Sequence, residues 1–296
     1  MTPNRVLVTG AFGLIGSAVL NTLRANGITV TALTVTDPPA SADVDRVVVG
    51  DAGDVDVVRA ALADVDAVVH LAALPSPDHA DAVTVFAGNT RATFVVLDEA
   101  GRAGVRRAMT ASSYSILGLS WARGPLHPPY FPIDEDTPLQ IEDPYGLSKQ
   151  VDEATARMVA RRYGMDVVAM RFPYVCDDQR IATRLRNTLA DPGSAASEAW
   201  AYLDVRDAAE ATWLALTAPT SGVHTLFVAA DETLAPYPTE DLIRRYHPAA
   251  EIRRPLPGRT VPIDVEPARR LLGFTARHTV DLDPAPLPDD VQYHGA

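Results

Sequence analysis

Short runs of Val, Leu, Ile and Ala recur along the first two thirds of the chain, separated by longer stretches in which apolar residues return every three or four positions. The short runs predict strands at Arg5–Thr9, Ile28–Leu33, Arg46–Val49, Ala67–Leu71, Arg107–Ala111 and Val167–Arg171. Most are continuously apolar, the pattern of strands covered on both faces. The longer stretches predict helices at Leu14–Asn26, Val55–Ala63, Ala80–Ala103 and Tyr145–Tyr163, with Gly27, Gly104 and Gly164 as stop signals. Strand–helix alternation at these lengths predicts an α/β fold built on a Rossmann-type, doubly wound parallel sheet.

The pattern changes after Arg171. Phe172–Ser197 reads as irregular and polar, Asp204–Thr217 as a helix and Val223–Val228 as a strand. The last forty residues are rich in Pro, with a short helix at Glu266–Leu272. The expected division is a main domain over residues 1–171, to which 204–228 returns, and a small mixed C-terminal lobe over 172–203 and 229–296. The lobe would lie over the carboxyl edge of the sheet and bind substrate. No internal repeat or low-complexity linker is visible.

Composition narrows the function. A chain of 296 residues, 47% hydrophobic, can bury a sizeable core. No apolar run approaches the ~20 residues of a membrane span, so no membrane partner is expected. The N-terminus runs into strand material with no signal peptide before it, and Cys176 is the only cysteine. One cysteine excludes an internal disulfide and a Cys-based zinc site, and no other metal site is expected. Both features favour the cytoplasm. The net charge of −12 argues against a nucleic-acid partner. The pairs Arg106-Arg107, Arg161-Arg162, Arg244-Arg245 and Arg253-Arg254 read as solvated faces.

Gly10-Ala11-Phe12-Gly13-Leu14-Ile15-Gly16 follows the first strand and opens the first helix. Gly10 suits a tight turn, Gly13 a close approach of backbone to a pyrophosphate, and Gly16 close helix–strand packing. The helix N-terminus offers free N–H groups to the anion. Strand before and helix after make this a dinucleotide signal. Asp51 follows the third strand, where an adenine ring could lie; a helix-capping role fits Asp54 better. At the end of strand two, an acid would bind the ribose hydroxyls of NAD and an Arg the phosphate of NADP. The position is Thr34, followed by Val35, Thr36 and Asp37, with no cation before Arg46. The absence of a cation and the nearby Asp37 favour NAD, and NADP is not excluded.

Of the 26 Lys and Arg residues, 25 are Arg; Lys149 is the only lysine. It lies four residues after Tyr145, on the same helical face. There an ammonium favours a phenolate over a phenol, so the phenol can take a proton from an alcohol or return it to a ketone. An amphipathic helix holding Tyr and Lys at this spacing by chance is the bland alternative. Ser112 and Ser113 close the fifth strand, and their hydroxyls would point into the crevice where ligands bind. Ser113 could hold a substrate oxygen against Tyr145; capping of a turn is the plainer role, more credible for Ser112.

With these residues in view, the chain resembles the extended short-chain dehydrogenase/reductases, the NAD-dependent epimerase/dehydratase family. The resemblance rests on Thr9–Gly16, Gly50-Asp51, His70-Leu71-Ala72-Ala73, Asn89, Ser112-Ser113 followed by Gly118, Tyr145-Gly146-Leu147-Ser148-Lys149 and Asp204-Val205-Arg206-Asp207-Ala208. It covers roughly residues 5 to 217. It implies Ser113 as the catalytic serine, Tyr145 as the acid/base and Lys149 as the ribose-binding lysine. It also implies cofactor contacts from Gly10, Phe12, Gly13, Leu14, Ile15 and Gly16, from Thr34, Asp51 and Ala52, and from Leu71, Ala72 and Ala73. Asn89 and Phe172 complete that set, with Tyr145 and Lys149. His70 reads as part of the strand edge, Asp204 as a helix cap and Asp207 as a packing residue.

Two departures from the family pattern matter. Members that dehydrate a sugar carry an acidic pair after the catalytic serine or threonine; here Tyr114, Ser115 and Ile116 follow. Members acting on nucleotide sugars carry an Asn-Val-Tyr-Gly-Pro-like stretch after the strand-six arginine; here Arg171 precedes Phe172-Pro173-Tyr174-Val175-Cys176. The short lobe resembles compact members that oxidise free sugar acids or reduce small ketones. Arg184, Arg186, Arg253, Arg254 and Arg259 could hold a diphosphate or carboxylate. The reading is an NAD(P)-dependent oxidoreductase acting on a secondary alcohol or ketone of a sugar-like or small carbonyl substrate. The enzymatic alternative is a (nucleotide-)sugar epimerase, and the rival from another class is a non-catalytic dinucleotide sensor. Two long helices, Ala80–Ala103 and Tyr145–Tyr163, suggest a homodimer, as in related enzymes.

Overall fold

The apolar runs become strands of a single central sheet. The computed structural model describes residues 2–288. Along the chain, β1 (Arg5–Thr9), β2 (Thr29–Thr34), β3 (Arg46–Val49), β4 (Ala67–His70) and β5 (Arg107–Ser113) precede a short β6 (Tyr130–Phe131). Then come β7 (Asp166–Phe172), β8 (Tyr174–Cys176), β9 (Tyr202–Asp204), β10 (Val223–Phe227) and β11 (Glu251–Ile252). Seven strands pair in parallel in the order β10-β7-β5-β4-β1-β2-β3. The chain steps outward from β1 to β3, then crosses back to β4, so the order reverses between β1 and β4. A crevice opens there beyond the carboxyl ends of the strands.

The helices are α1 (Leu14–Ala25), α2 (Val55–Ala61), α3 (Ala82–Arg102), α4 (Pro144–Tyr163), α5 (Asp178–Ala190), α6 (Val205–Thr217), α7 (Thr239–Tyr246) and α8 (Glu266–Leu272). The strands are mostly apolar because both faces are covered. Val6 and Val8 pack with residues of α1 and α6, such as Val19 and Ala211. Leu7 between them packs on the opposite side with Val96 of α3 and Val159 of α4. A third cluster, with Trp200, Phe131 and Tyr246 fully buried, sits under the later segments. β10 extends the main sheet beside β7, whereas β8 with β9, and β6 with β11, form separate two-stranded sheets. Among the described residues, no helix is long and apolar enough to cross a membrane.

One expectation is overturned. Phe172–Ser197 is ordered as the end of β7, β8, α5 and a 3-10 segment over Pro192–Glu198. α5 fully buries only Thr188, and its apolar stripe, Ile181 and Leu185, is short and half-buried among charged neighbours. Its start is set instead by Asp177, whose side chain accepts from the Arg180 N–H at 2.9 Å. α7 (Thr239–Tyr246), between the strand read at Val223–Val228 and the Pro-rich tail, also went unpredicted.

Candidate active site

β1 ends at Thr9, and Gly10 turns the chain with φ +62. A Cβ there would lie 2.9 Å from the Ala72 nitrogen. At Gly16 it would lie 2.3 Å from the Gly10 oxygen, so α1 can seat on the turn only without a side chain. Gly13 is the N-cap of α1; no side chain caps it and no acid sits in the first turn. The first-turn N–H groups are thus left for an anion. This cradle fits the pyrophosphate of a dinucleotide.

A cavity of about 570 Å³ runs from this turn across the crevice. Gly10, Gly13, Leu14, Ile15 and Gly16 line it, with Leu71, Ala73 and Phe172 from the strand ends. Ser113, Tyr145 and Lys149 line it too. Phe12, Thr34, Asp51, Ala52, Ala72 and Asn89 do not. Thr34 ends β2 and is mostly buried, and the Asp51 side chain accepts from the Gly53 N–H at 2.8 Å. Asp54 caps α2, accepting from the Asp56 and Val57 N–H groups. Asn89 is buried; its Oδ1 accepts from the Leu74 N–H at 2.8 Å and its Nδ2 donates to Ser148 Oγ at 3.2 Å.

α4 starts at Pro144 behind Asp143, which accepts from the Gly146 N–H at 2.8 Å. That start puts Tyr145 and Lys149 one turn apart. Lys149 is 4% exposed and its Nζ is 5.6 Å from the centre of the Tyr145 ring. The ammonium donates to the Ala111 carbonyl at 3.0 Å and to Asp152 Oδ2 at 3.2 Å. Burial alone would lower Lys149, but the charges of Asp152, Tyr145 and Glu153 outweigh it and hold the ammonium above its ordinary value.

The two serines both line the cavity and part company through their bonds. Ser112 Oγ donates to Glu153 Oε1 at 2.7 Å, so its hydroxyl is not offered to a ligand. Ser113 is the residue that caps a turn, accepting from the Ser115 N–H at 3.1 Å at the head of the 3-10 segment Tyr114–Leu117. His70 lies in the strand edge and outside the cavity lining, with burial pushing its pKa down to about 3. Asp204 caps α6, and Asp207 accepts from the Arg277 and His278 N–H groups.

None of the five proposed arginines lines the cavity. Arg184 is paired with Glu198 and stacks 5.0 Å from the Tyr174 ring centre. Arg259 donates to the Leu282 and Val280 carbonyls. Arg253 and Arg254 pair with Glu251 and Asp264, and Arg186 is exposed. The guanidinium in the lining is Arg180, from α5, facing a wall that includes Trp121, His79, Tyr174 and Glu198. Sequence reasoning weighed Arg184 and Arg186 in this segment but not Arg180, because without the path of α5 nothing tells which of the three meets the cavity. Among the described residues, no group of three His, Cys, Asp or Glu side chains is placed to hold a metal ion.

Comparison with known proteins adds four findings. The model of the NAD dependent epimerase/dehydratase family matches residues 6–230. The 3-diazoavenalumate denitrifying reductase of a Streptomyces species is 32% identical over 292 residues, 93% of this chain and 89% of that one. The uronate dehydrogenase of Pseudomonas syringae pv. tomato is 30% identical over 169 residues, 57% of this chain and 58% of its own length. Among solved structures, a short-chain dehydrogenase/reductase superfamily protein from Agrobacterium tumefaciens with bound NAD superposes with a TM-score of 0.70. It is 28% identical, and the match covers 93% of both chains.

Proposed function

The chain belongs to the NAD dependent epimerase/dehydratase family, and from that premise we propose that it is an NAD-dependent oxidoreductase interconverting a secondary alcohol and a ketone on a small, sugar-like or carbonyl substrate. The observation that carries this reading is the single cavity shared by the glycine turn and by Ser113, Tyr145 and Lys149. A dinucleotide sensor has no use for the second group.

Bound NAD supplies the hydride acceptor or donor. The residues do the rest. Tyr145 takes the alcohol proton, or returns it to the ketone. Ser113 Oγ already accepts the Ser115 N–H, which leaves its own O–H to donate to the substrate oxygen. Lys149 has three donors and spends two on Ala111 and Asp152, so the third is left for a ribose hydroxyl. NAD is favoured over NADP because no cation stands beside Thr34, and Arg46 is bonded to the Ala60 carbonyl.

Arg180 supports a substrate that carries a carboxylate, as the name of the uronate dehydrogenase relative also suggests. Trp121 and Tyr174 line the same cavity and add aromatic surface to it. The reductase relative is named for the denitrifying reduction of a diazo compound, which supports testing a reduction as well as an oxidation. We also assign a homodimer through α3 and α4, and a cytoplasmic setting in which the buried Cys176 thiol stays reduced. The substrate lobe is the part after residue 171, apart from α6 and β10.

The test is NADH formation with uronates, neutral sugars and nucleotide sugars, and NADH consumption with small ketones and aryl acids. Free NADH should appear in step with product from an acidic substrate, and Arg180→Gln should raise KM for it about tenfold, the loss of one charge-assisted hydrogen bond. Inversion of a sugar carbon with no change in external NADH would replace this reading with the epimerase. NAD binding without turnover on any compound would favour the sensor.

A further inference from the structure

We propose that Asp152 is a positioning residue, which seats the Lys149 ammonium for the cofactor beside a one-way chain of hydrogen bonds running from Thr9 to Thr93. The proposal rests on the reading of Lys149 as the ribose-binding lysine. Asp152 is 4% exposed, one turn beyond Lys149 on α4, and Oδ2 is 3.2 Å from Nζ.

The direction of the chain follows from counting donors. Thr9 Oγ1 accepts the Leu71 N–H at 3.2 Å and the Ala72 N–H at 3.1 Å. Both its lone pairs are then used, so its own O–H must donate to His70 Nδ1, 2.8 Å away. His70 is neutral and accepts there, so the ring proton is on Nε2. Nε2–H donates to Thr93 Oγ1 at 3.0 Å. The chain ends at the Thr93 hydroxyl, which stands near the Asp152 carboxylate; Oδ1 of that carboxylate is buried with no hydrogen-bond partner, and Oδ2 holds Lys149. Asn at position 152 would keep the size of the side chain but would bring no charge to Lys149.

The charges around the ammonium make Asp152 decisive. From α4 it faces Tyr145, Asp152 and Glu153; from β4 it faces His70. Glu153 is already bound to Arg171 of β7, and His70 carries no charge. Asp152 is therefore the one carboxylate of this set that Lys149 does not share with an arginine. Without it, only Tyr145 and the arginine-bound Glu153 oppose burial, and the balance shifts toward the neutral amine.

Lys149 is the only lysine, so protein made with lysine labelled at Cε by carbon-13 gives one side-chain resonance. In the wild type it should titrate above the ordinary lysine value of about 10.4, and NAD should shift it. In Asp152→Asn the midpoint should fall by at least about one pH unit, while Asp152→Glu should restore it. A purely structural role for Asp152 would alter stability without moving that midpoint. Asp152→Ser gives the same comparison should Asp152→Asn not fold. If NAD leaves the wild-type resonance unmoved, the ribose reading fails, and with it the link to catalysis. If NAD moves the resonance but the midpoint is the same in wild type and in the neutral variants, the role of Asp152 is overturned.

Discussion

Arg171 on β7 grips Glu153 on α4 at two points, Nε to Oε1 at 2.9 Å and Nη2 to Oε2 at 3.0 Å, with both side chains buried. Ser112, the register partner of Arg171 on β5, donates to the same Oε1. The contact fastens α4 to the two central strands two turns after Tyr145. Glu153→Gln leaves the guanidinium buried without its counter-charge, which typically costs about 3–5 kcal/mol. Urea unfolding should show that loss. The double replacement Glu153→Met with Arg171→Leu should recover most of it, because neither charge is then stranded. A single-variant loss below about 1 kcal/mol would mean that water reaches the pair.

Tyr145→Phe removes the proton carrier and keeps the ring, which is 8% exposed and fills its place at the head of α4. Turnover should fall by about 100-fold or more, with NAD affinity and unfolding midpoint little changed. A variant that keeps more than about a tenth of the wild-type rate would remove Tyr145 from the acid/base role.

How far these features could be read in advance depended on whether burial was local or tertiary. The strands of the main sheet were visible because packing on both faces imposes an unbroken apolar run, as at Val6-Leu7-Val8. α5 was harder to see because its apolar stripe, Ile181, Leu185 and Leu189, is thin and set among charged and polar residues. Tyr145 and Lys149 could be found from spacing. Asp152 could not: an acid three residues after a lysine on a helix is ordinarily a solvated pair, and only the packing of α3 over α4 buries it. The different fates of Ser112 and Ser113 were not legible, since both line the cavity and they part only through the bond from Ser112 to the buried Glu153.

Two buried imidazoles should make the fold sensitive to mild acid. Burial holds His70 down to about 3 and His247 down to about 4. In the unfolded chain both take up protons near pH 6.5. Between these limits the unfolded state binds more protons than the native state, so stability is full above about pH 6.5 and declines as pH falls. At pH 5 the loss should be of the order of 2 kcal/mol for each imidazole. Urea midpoints at pH 7.5 and 5 test this, and His247→Asn should flatten part of the slope. An unchanged midpoint would mean that the native state accepts these protons.

The dimer can be tested at one side chain. Val83 and Phe94 are 74% and 49% exposed, and Leu147 is 42% exposed. Val83 and Phe94 lie about three turns apart on α3 and so share a face; Leu147 is on α4, which packs against α3. Apolar side chains on paired helices are the material of an isologous interface, in which each helix meets its own copy. Light scattering at micromolar concentration should therefore give about twice the chain mass of 31.7 kDa. Phe94→Glu would bury a carboxylate beside its symmetry mate and should yield monomers. α3 and α4 also carry the packing beneath Lys149, so the monomer should bind NAD less tightly as well. A wild-type protein that scatters as a monomer would leave Val83, Phe94 and Leu147 as solvent-facing residues and end the proposal.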